Sequence, residues 1–225
     1  MEYRYAGRLS NIRASEIREL LKLTERPEVI SFAGGLPASE LFPIQEIKAV
    51  NDYVLDCCGE QALQYTTTEG FQPLRRWIAE RMNSRLGTAF DEDNIMITHG
   101  SQQALDLTGK VFLEEGDVVL CESPTYLAAI SAFRAYGCRF AEVETDEDGM
   151  VISRLEKALE ENPEAKLIYI VPDFQNPTGR TWSLARRRQL AELSSKYNVV
   201  VIDDNPYGAL RSEGGFLPSV QTFDK

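Results

Sequence analysis

From about residue 95 onward, short apolar runs alternate with segments whose apolar positions recur three and four residues apart. Continuous or period-2 runs between period-3.6 stretches predict βα units and a mostly parallel sheet joined by right-handed crossovers. The predicted strands are residues 95–98 (IMIT), 118–121 (VVLC), 140–143 (FAEV), 167–171 (LIYIV) and 199–202 (VVVI). The last is an unbroken apolar run and reads as a strand buried on both faces. Between them, Ala104, Leu107, Val111 and Phe112 share one helical face. Tyr126, Ala129, Ile130 and Phe133 share another over residues 125–136, which Gly137 ends. Ile152, Leu155 and Leu159 mark a third helix, and Ser183 opens a fourth carrying Leu190, Leu193 and Tyr197.

The first ninety residues are less regular. Ile17, Leu20 and Leu21 predict an amphipathic helix over residues 10–23. Residues 30–43 (ISFAGGLPASELFP) form a loop, because Gly34 and Gly35 permit unusual backbone angles and Pro37 and Pro43 stop regular structure. Ile47, Val50, Val54 and Leu55 mark a helix, and residues 62–75 (ALQYTTTEGFQPLR) a polar loop. Leu74, Trp77, Ile78 and Met82 continue as a helix whose first turn accommodates Pro73. A domain boundary is expected near residue 90, dividing residues 1–90 from the βα section, residues 91–225.

Composition narrows the functional classes. A net charge of −11 over 225 residues argues against a nucleic-acid surface. Cys57, Cys58, Cys121 and Cys138 show no metal spacing, which suggests a reduced, cytoplasmic protein. His99 is the only histidine, so chemistry that needs a pair of histidines is excluded within the chain. The polar start MEYRYAGRLS does not read as a signal peptide, and no apolar run approaches the roughly 20 residues of a membrane span.

Candidate chemistry gathers at the carboxyl ends of the predicted strands, where open α/β sheets bind ligands. After residues 95–98 come Gly100, Ser101 and Gln102 at a helix start, where free backbone N–H groups suit an anion such as phosphate. Ser101 as a simple N-cap is the alternative. After the second strand, Tyr126 offers a ring to stack on a planar group or to pack in the core. After the fourth come Asn176-Pro177 and Thr178-Gly179, a turn from which Asn176 would project an amide. After the fifth stand Asp203, Asp204 and Tyr207: a carboxylate able to hold a cationic ring nitrogen, or a loop cap. The chain lacks both the G-x-G-x-x-G and Walker patterns, so dinucleotide and ATP fingerprints are not supported.

Six stretches carry a resemblance: ISFAGGLPASELFP, ALQYTTTEGFQPLR, ITHGSQQALDL, SPTY, PDFQNPTG and VIDDNPY. In their order and residues the chain resembles a fold-type I pyridoxal 5'-phosphate (PLP) enzyme of the class I/II aminotransferase superfamily. More narrowly it is similar to the branch holding 2-aminoadipate and aromatic aminotransferases and the effector domains of MocR-type regulators. The resemblance implies an α/β fold: the three-layer α/β/α large domain of aspartate aminotransferase-like PLP-transferases, mostly parallel and here incomplete, with an N-terminal segment. It implies that Gly100, Ser101 and Gln102 hold the PLP phosphate, that Tyr126 stacks on the ring, and that Asn176 and Tyr207 reach the ring hydroxyl oxygen. Asp204 would pair with the protonated ring nitrogen. Tyr65 would reach the phosphate of a neighbouring subunit, which implies a homodimer with shared sites. Ser15, Arg18, Gly34 and Gly35 would contact substrate, Arg18 pairing with a distal carboxylate or merely lying on a solvated helix face.

The implied reaction moves an amino group between an amino acid and a 2-oxo acid. The amino acid would be 2-aminoadipate, glutamate, or an aromatic or branched-chain donor. The family's lysine, which forms the Schiff base within a Ser-x-Ser-Lys context, has no counterpart among the seven lysines of the chain. It is expected beyond Lys225, with the remainder of the large domain and the small domain, so this chain alone would be inactive. Two later strands would lie in the sheet between the first strand and the fourth, leaving a gap there. The competing readings are a regulator's effector domain and a non-catalytic PLP-binding fragment.

Overall fold

The structure is a computed structural model that describes residues 3–11, 28–30 and 35–224. The chain divides into two compact units, residues 13–68 and residues 1–12 with 69–225. In the first, a 3-10 turn Ser39–Leu41 precedes helix α1, Ile44–Ala62. The stripe that predicts α1 is uncovered: Ile47, Val50 and Leu55 are all at least half exposed. The helix breaks at Cys58, whose φ of −151° and ψ of 28° lie outside the helical region. The helix expected over residues 10–23 falls largely outside the described residues; residues 10 and 11 close a 3-10 turn, Gly7–Asn11.

The second unit, which includes the Gly7–Asn11 turn, has as its first α-helix α2, Gln72–Leu86, with Pro73 in its first turn and a stop at Gly87 in the left-handed region. Its buried positions are Arg75 and Ala79, while Trp77 on the predicted apolar face is 55% exposed. Arg75 is buried because its guanidinium donates to the carbonyls of Glu92 and Ile95 and pairs with Asp93, satisfying the turn that follows α2. Then come α3 (Ser101–Phe112), β1 (Val118–Ser123), α4 (Leu127–Arg134), β2 (Arg139–Asp146) and β3 (Gly149–Met150). The chain continues through α5 (Ile152–Glu161), β4 (Ala165–Ile170), α6 (Leu184–Tyr197) and β5 (Val200–Asp203).

The five strands lie in the order β3-β2-β1-β4-β5. All pairs are parallel except the short β2–β3 ladder, an antiparallel element the sequence pattern does not predict. The apolar runs are continuous because both sheet faces are covered. Leu120, Ile168 and Ile170 pack with Leu155, Leu159, Trp182 and Leu190 beneath α5 and α6. Val119, Leu167, Tyr169 and Val171 pack with Leu105, Ala129 and Phe133 beneath α3 and α4. The result is three layers, α/β/α. Gly109 sets the approach of α3 to α4, since a Cβ there would stand 2.6 Å from the Tyr136 ring. The buried side of α3 is therefore Leu105 and Gly109, and Val111 is 72% exposed.

Three expectations are corrected. Residues 95–98 form no ladder among the described residues; the Ile97 N–H donates instead to the Glu69 carbonyl at 2.9 Å. An alternating pattern makes a segment fit to extend, but strand formation requires a partner backbone. Second, β5 is not buried on both faces: it is the sheet edge, and Val200 is 40% exposed. Third, there is no gap beside the fourth predicted strand, because β4 pairs with β1 on one side and β5 on the other. Among the described residues the outer strands of the sheet are β3 and β5.

Candidate functional site

In the parallel strands, β1, β4 and β5 end side by side, and the loops leaving them carry the polar groups. The β1 loop turns through a cis Ser123-Pro124 bond to Tyr126, which caps the start of α4 and is half-buried. The β4 loop turns through a cis Asn176-Pro177 bond. Gln175, 3% exposed, ties these loops together: its amide donates to the Pro124 carbonyl at 2.8 Å, and its Oε1 accepts from the Thr178 N–H and hydroxyl. Asn176 is thereby placed to donate to the Tyr207 hydroxyl at 3.3 Å. Asn176, Pro177, Tyr207, Phe174 and Leu210 line a cleft of about 380 Å³.

The two adjacent acids after β5 have separate tasks. Asp203 accepts from the Ser219 hydroxyl at 2.9 Å and the Val220 N–H at 3.2 Å, closing the turn below the sheet. Burial pushes its carboxyl above the usual range, and these hydrogen bonds oppose the push. Asp204 continues the ladder by donating its N–H to the Ile170 carbonyl, and its Oδ2 accepts from the Tyr169 hydroxyl at 2.7 Å. Burial first, then the charge of Asp204, holds the Tyr169 phenol far above its ordinary value, so it stays a donor. Tyr126 is raised by burial and then by its nearness to Tyr207 and Asp204. Tyr126, Asp204, Tyr207 and Asn176 are thus one neighbourhood.

At the start of α3 the cap position is Gly100, with φ 82°, and Ser101 is the first helical residue rather than the cap. A Cβ on Gly100 would meet nothing within 4 Å. Among the described residues no side chain accepts from the Ser101 or Gln102 N–H, while Gln103 turns back to accept from the His99 N–H at 2.6 Å. The α3 start therefore presents backbone donors to an anion. In the β1 loop, next to Tyr126, Thr125 Oγ1 is buried without a hydrogen-bond partner among the described residues. A ligand carrying an anionic group, a flat ring and a cationic nitrogen suits this donor set.

Two residues that shape the site escape the sequence reading. Tyr169 sits in an apolar strand and reads as core, yet its hydroxyl orients Asp204. Glu122, 2% exposed, accepts from the Val171 N–H at 2.9 Å and from Trp182 Nε1 at 2.8 Å, fixing the end of β4. Only an acid at the end of an apolar run hints at it. Burial pushes the Glu122 carboxyl up to about 7, against the two hydrogen bonds. Because its folded value exceeds the usual 4.5, the stability Glu122 contributes is present below that value and is lost as pH rises through about 7. The difference in urea midpoint between wild type and Glu122→Gln should therefore change between about pH 4.5 and pH 7, with wild type losing stability relative to the variant as pH rises. A pH-independent difference would contradict this.

Of the other expected site residues, Ser15, Arg18 and Gly34 lie outside the described residues. Gly35 and Tyr65 belong to the other unit; Gly35 is exposed and Tyr65 is 99% exposed. Among the described residues no helix is long and apolar enough to cross a membrane.

The profile of the family described as aminotransferase class I and II matches residues 28–222. The chain is 45% identical over 225 residues to aromatic-amino-acid aminotransferase 1 of Thermococcus litoralis, covering 98% of this chain and 54% of that protein. It is 47% identical over 216 residues to the 2-aminoadipate transaminase of Thermus thermophilus, covering 96% and 52% respectively. In structure it is similar to the kynurenine aminotransferase of Pyrococcus horikoshii solved with PMP, KYN and KYA. The TM-score is 0.91 at 43% identity, over 98% of this chain and 55% of that one. The chain spans about half the length of the curated relatives it matches.

Proposed function

Since the chain belongs to the class I and II aminotransferase family, we propose that it carries the PLP-binding part of a transaminase acting on amino acids and 2-oxo acids. The observation that carries this reading is Asp204, a half-buried carboxylate held at a strand end by the Tyr169 hydroxyl at 2.7 Å. PLP, when bound, supplies an electron sink, because its protonated ring accepts electron density from the substrate α-carbon. The chain's own groups do the rest. Asp204 keeps the proton on the ring nitrogen, and Tyr169 fixes the direction of that carboxylate. Asn176 donates to the Tyr207 oxygen, which leaves the Tyr207 O–H to donate to the ring hydroxyl oxygen. Tyr126 covers one ring face, and the Gly100–Gln102 turn binds the phosphate.

Residues 91–225 are read as part of the PLP-binding large domain, and residues 1–90 as the N-terminal helix, substrate-side loops and start of that domain. Ser15, Arg18, Gly34 and Gly35 belong to the substrate side of this proposal. Tyr65, with its exposed ring, would serve the phosphate site of a second copy in a homodimer. Four free thiols support a reducing, cytoplasmic location. The 2-aminoadipate and aromatic donors are favoured by the two relatives of that kind.

No described lysine of the second unit stands at the strand ends. Lys110 is in the last turn of α3, Lys157 and Lys196 pair with Glu161 and Glu156, and Lys166 is near the start of β4. Because none of the seven lysines stands in the Ser-x-Ser-Lys context that the family resemblance implies, the reactive lysine is proposed to lie outside this chain, which alone would bind PLP without turnover. In the protein as the cell makes it, PLP-dependent transfer from 2-aminoadipate, glutamate or an aromatic amino acid to a 2-oxo acid is expected. Failure with every donor would overturn the reading. For the 225-residue chain, borohydride reduction with PLP followed by intact-mass measurement should show no stoichiometric adduct on a single lysine; such an adduct would contradict the lysine assignment.

A further inference from the structure

Helix α1 brings two thiols together in a way a regular helix does not. Consecutive helical side chains point about 100° apart and do not face one another. Cys57 and Cys58 nevertheless have their sulfurs 3.5 Å apart, because the helix leaves its geometry at Cys58, with φ −151° and ψ 28°. Both residues are exposed. The other two cysteines are of a different kind: Cys121 and Cys138 are 1% and 8% exposed. Burial keeps these two out of reach and pushes their thiols up to about 12 and about 11, while at the surface the hydrogen bond with Cys57 raises Cys58 as well.

We propose that Cys57 and Cys58 form a chelating dithiol site for a mono-organic trivalent arsenical of the R–As=O type. The spacing fits such a ligand. An atom bonded to each sulfur at about 2.3 Å, the length of a metal–thiolate bond, spans 3.5 Å at a bond angle of about 100°. Two competing uses fit less well. A disulfide needs the sulfurs to close to about 2.05 Å, and its Cα atoms usually stand about 4.4–6.8 Å apart, whereas adjacent residues on a trans peptide are held at about 3.8 Å. Tetrahedral zinc needs four ligands, and among the described residues no group of three histidine, cysteine or carboxylate side chains is placed to hold a metal ion.

The chemistry balances without a redox partner. Each thiol gives up its proton, two arsenic–sulfur bonds form, and the arsenical's oxygen leaves as water with those two protons. Arsenic remains trivalent throughout. The bound atom closes a ring across the helix break and pins it in its present form.

The probe is phenylarsine oxide added to the full chain, read by intact mass and by counting the fast-reacting thiols. One adduct per chain is expected, with loss of two fast thiols and reversal by a small dithiol but not by an equal concentration of monothiol. Cys57→Ser and Cys58→Ser should each weaken binding by about 10²–10⁴-fold, the usual advantage of a second tethered contact. The proposal is overturned if either variant binds as tightly as wild type. It is also overturned if wild type shows two fast thiols yet takes up no arsenical, a result that does not depend on the variants folding.

Discussion

Replacing Asp173 by alanine should lower the free energy of unfolding by about 3–5 kcal/mol, the cost of leaving a buried charge without its partner. Asp173 is 3% exposed and sits between two arginines, 3.0 Å from Arg187 and 2.7 Å from Arg211, while the Asn205 amide donates to it at 2.8 Å. Arg187 is fully buried. It also donates to the carbonyls of Trp182, Pro172 and Pro218, which hold the guanidinium inside when the carboxylate is removed. A domain of this size loses about 2–4 °C of melting temperature per kcal/mol, so Asp173→Ala should melt about 6–20 °C below wild type. A loss under about 1 kcal/mol by urea denaturation would mean that the three carbonyls suffice to hold the guanidinium. The cluster also bears on the site, for it joins the β4 loop at Asp173 to the β5 loop at Asn205, beside Asp204.

Substituting Asp204 by asparagine should weaken binding of pyridoxamine 5'-phosphate by about 10–150-fold. A hydrogen bond to a charged group is worth about 1.5–3 kcal/mol, and each 1.4 kcal/mol is a factor of about ten in affinity. The amine form of the cofactor is the right probe because it has no aldehyde to condense with surface lysines. Tyr169→Phe leaves the carboxylate in place but removes the hydroxyl that orients it, which forfeits about 1 kcal/mol and about five-fold in affinity. Calorimetric titration of the three chains checks the ranking. An Asp204→Asn chain that binds as wild type does would remove Asp204 from the cofactor's ring nitrogen.

The sequence carried the βα rhythm clearly, because a strand covered on both faces must be apolar throughout and LIYIV and VVLC are. It also located the loops at the strand ends, since Asn-Pro, Pro-Thr-Tyr and Asp-Asn-Pro-Tyr are turn chemistry placed after such runs. What it did not carry were facts about partners. Residues 95–98 have a strand's composition but no ladder among the described residues. The run at β5 looked as buried as that at β4, yet it lies at the edge. Faces were misjudged where a special residue decided the contact: Gly109 turns the buried side of α3 away from Val111, and Arg75 takes the buried place in α2 by serving carbonyls. Of the candidate site, the structure brings together Tyr126, Asn176, Asp204 and Tyr207. The roles of Tyr169 and Glu122 depend on hydrogen bonds 35 and 49 residues away in the chain, which no local pattern records.

A strand-end cluster that is a cofactor site in its own right binds cofactor within the 225-residue chain. Calorimetric titration of the wild-type chain with pyridoxamine 5'-phosphate tests it most directly, alongside pyridoxamine without the phosphate. One saturable site per chain is predicted, weaker for the ligand that lacks the phosphate and weaker again in Asp204→Asn. No saturable binding, or binding indifferent to both the phosphate and Asp204, would mean that the strand ends do not hold the cofactor.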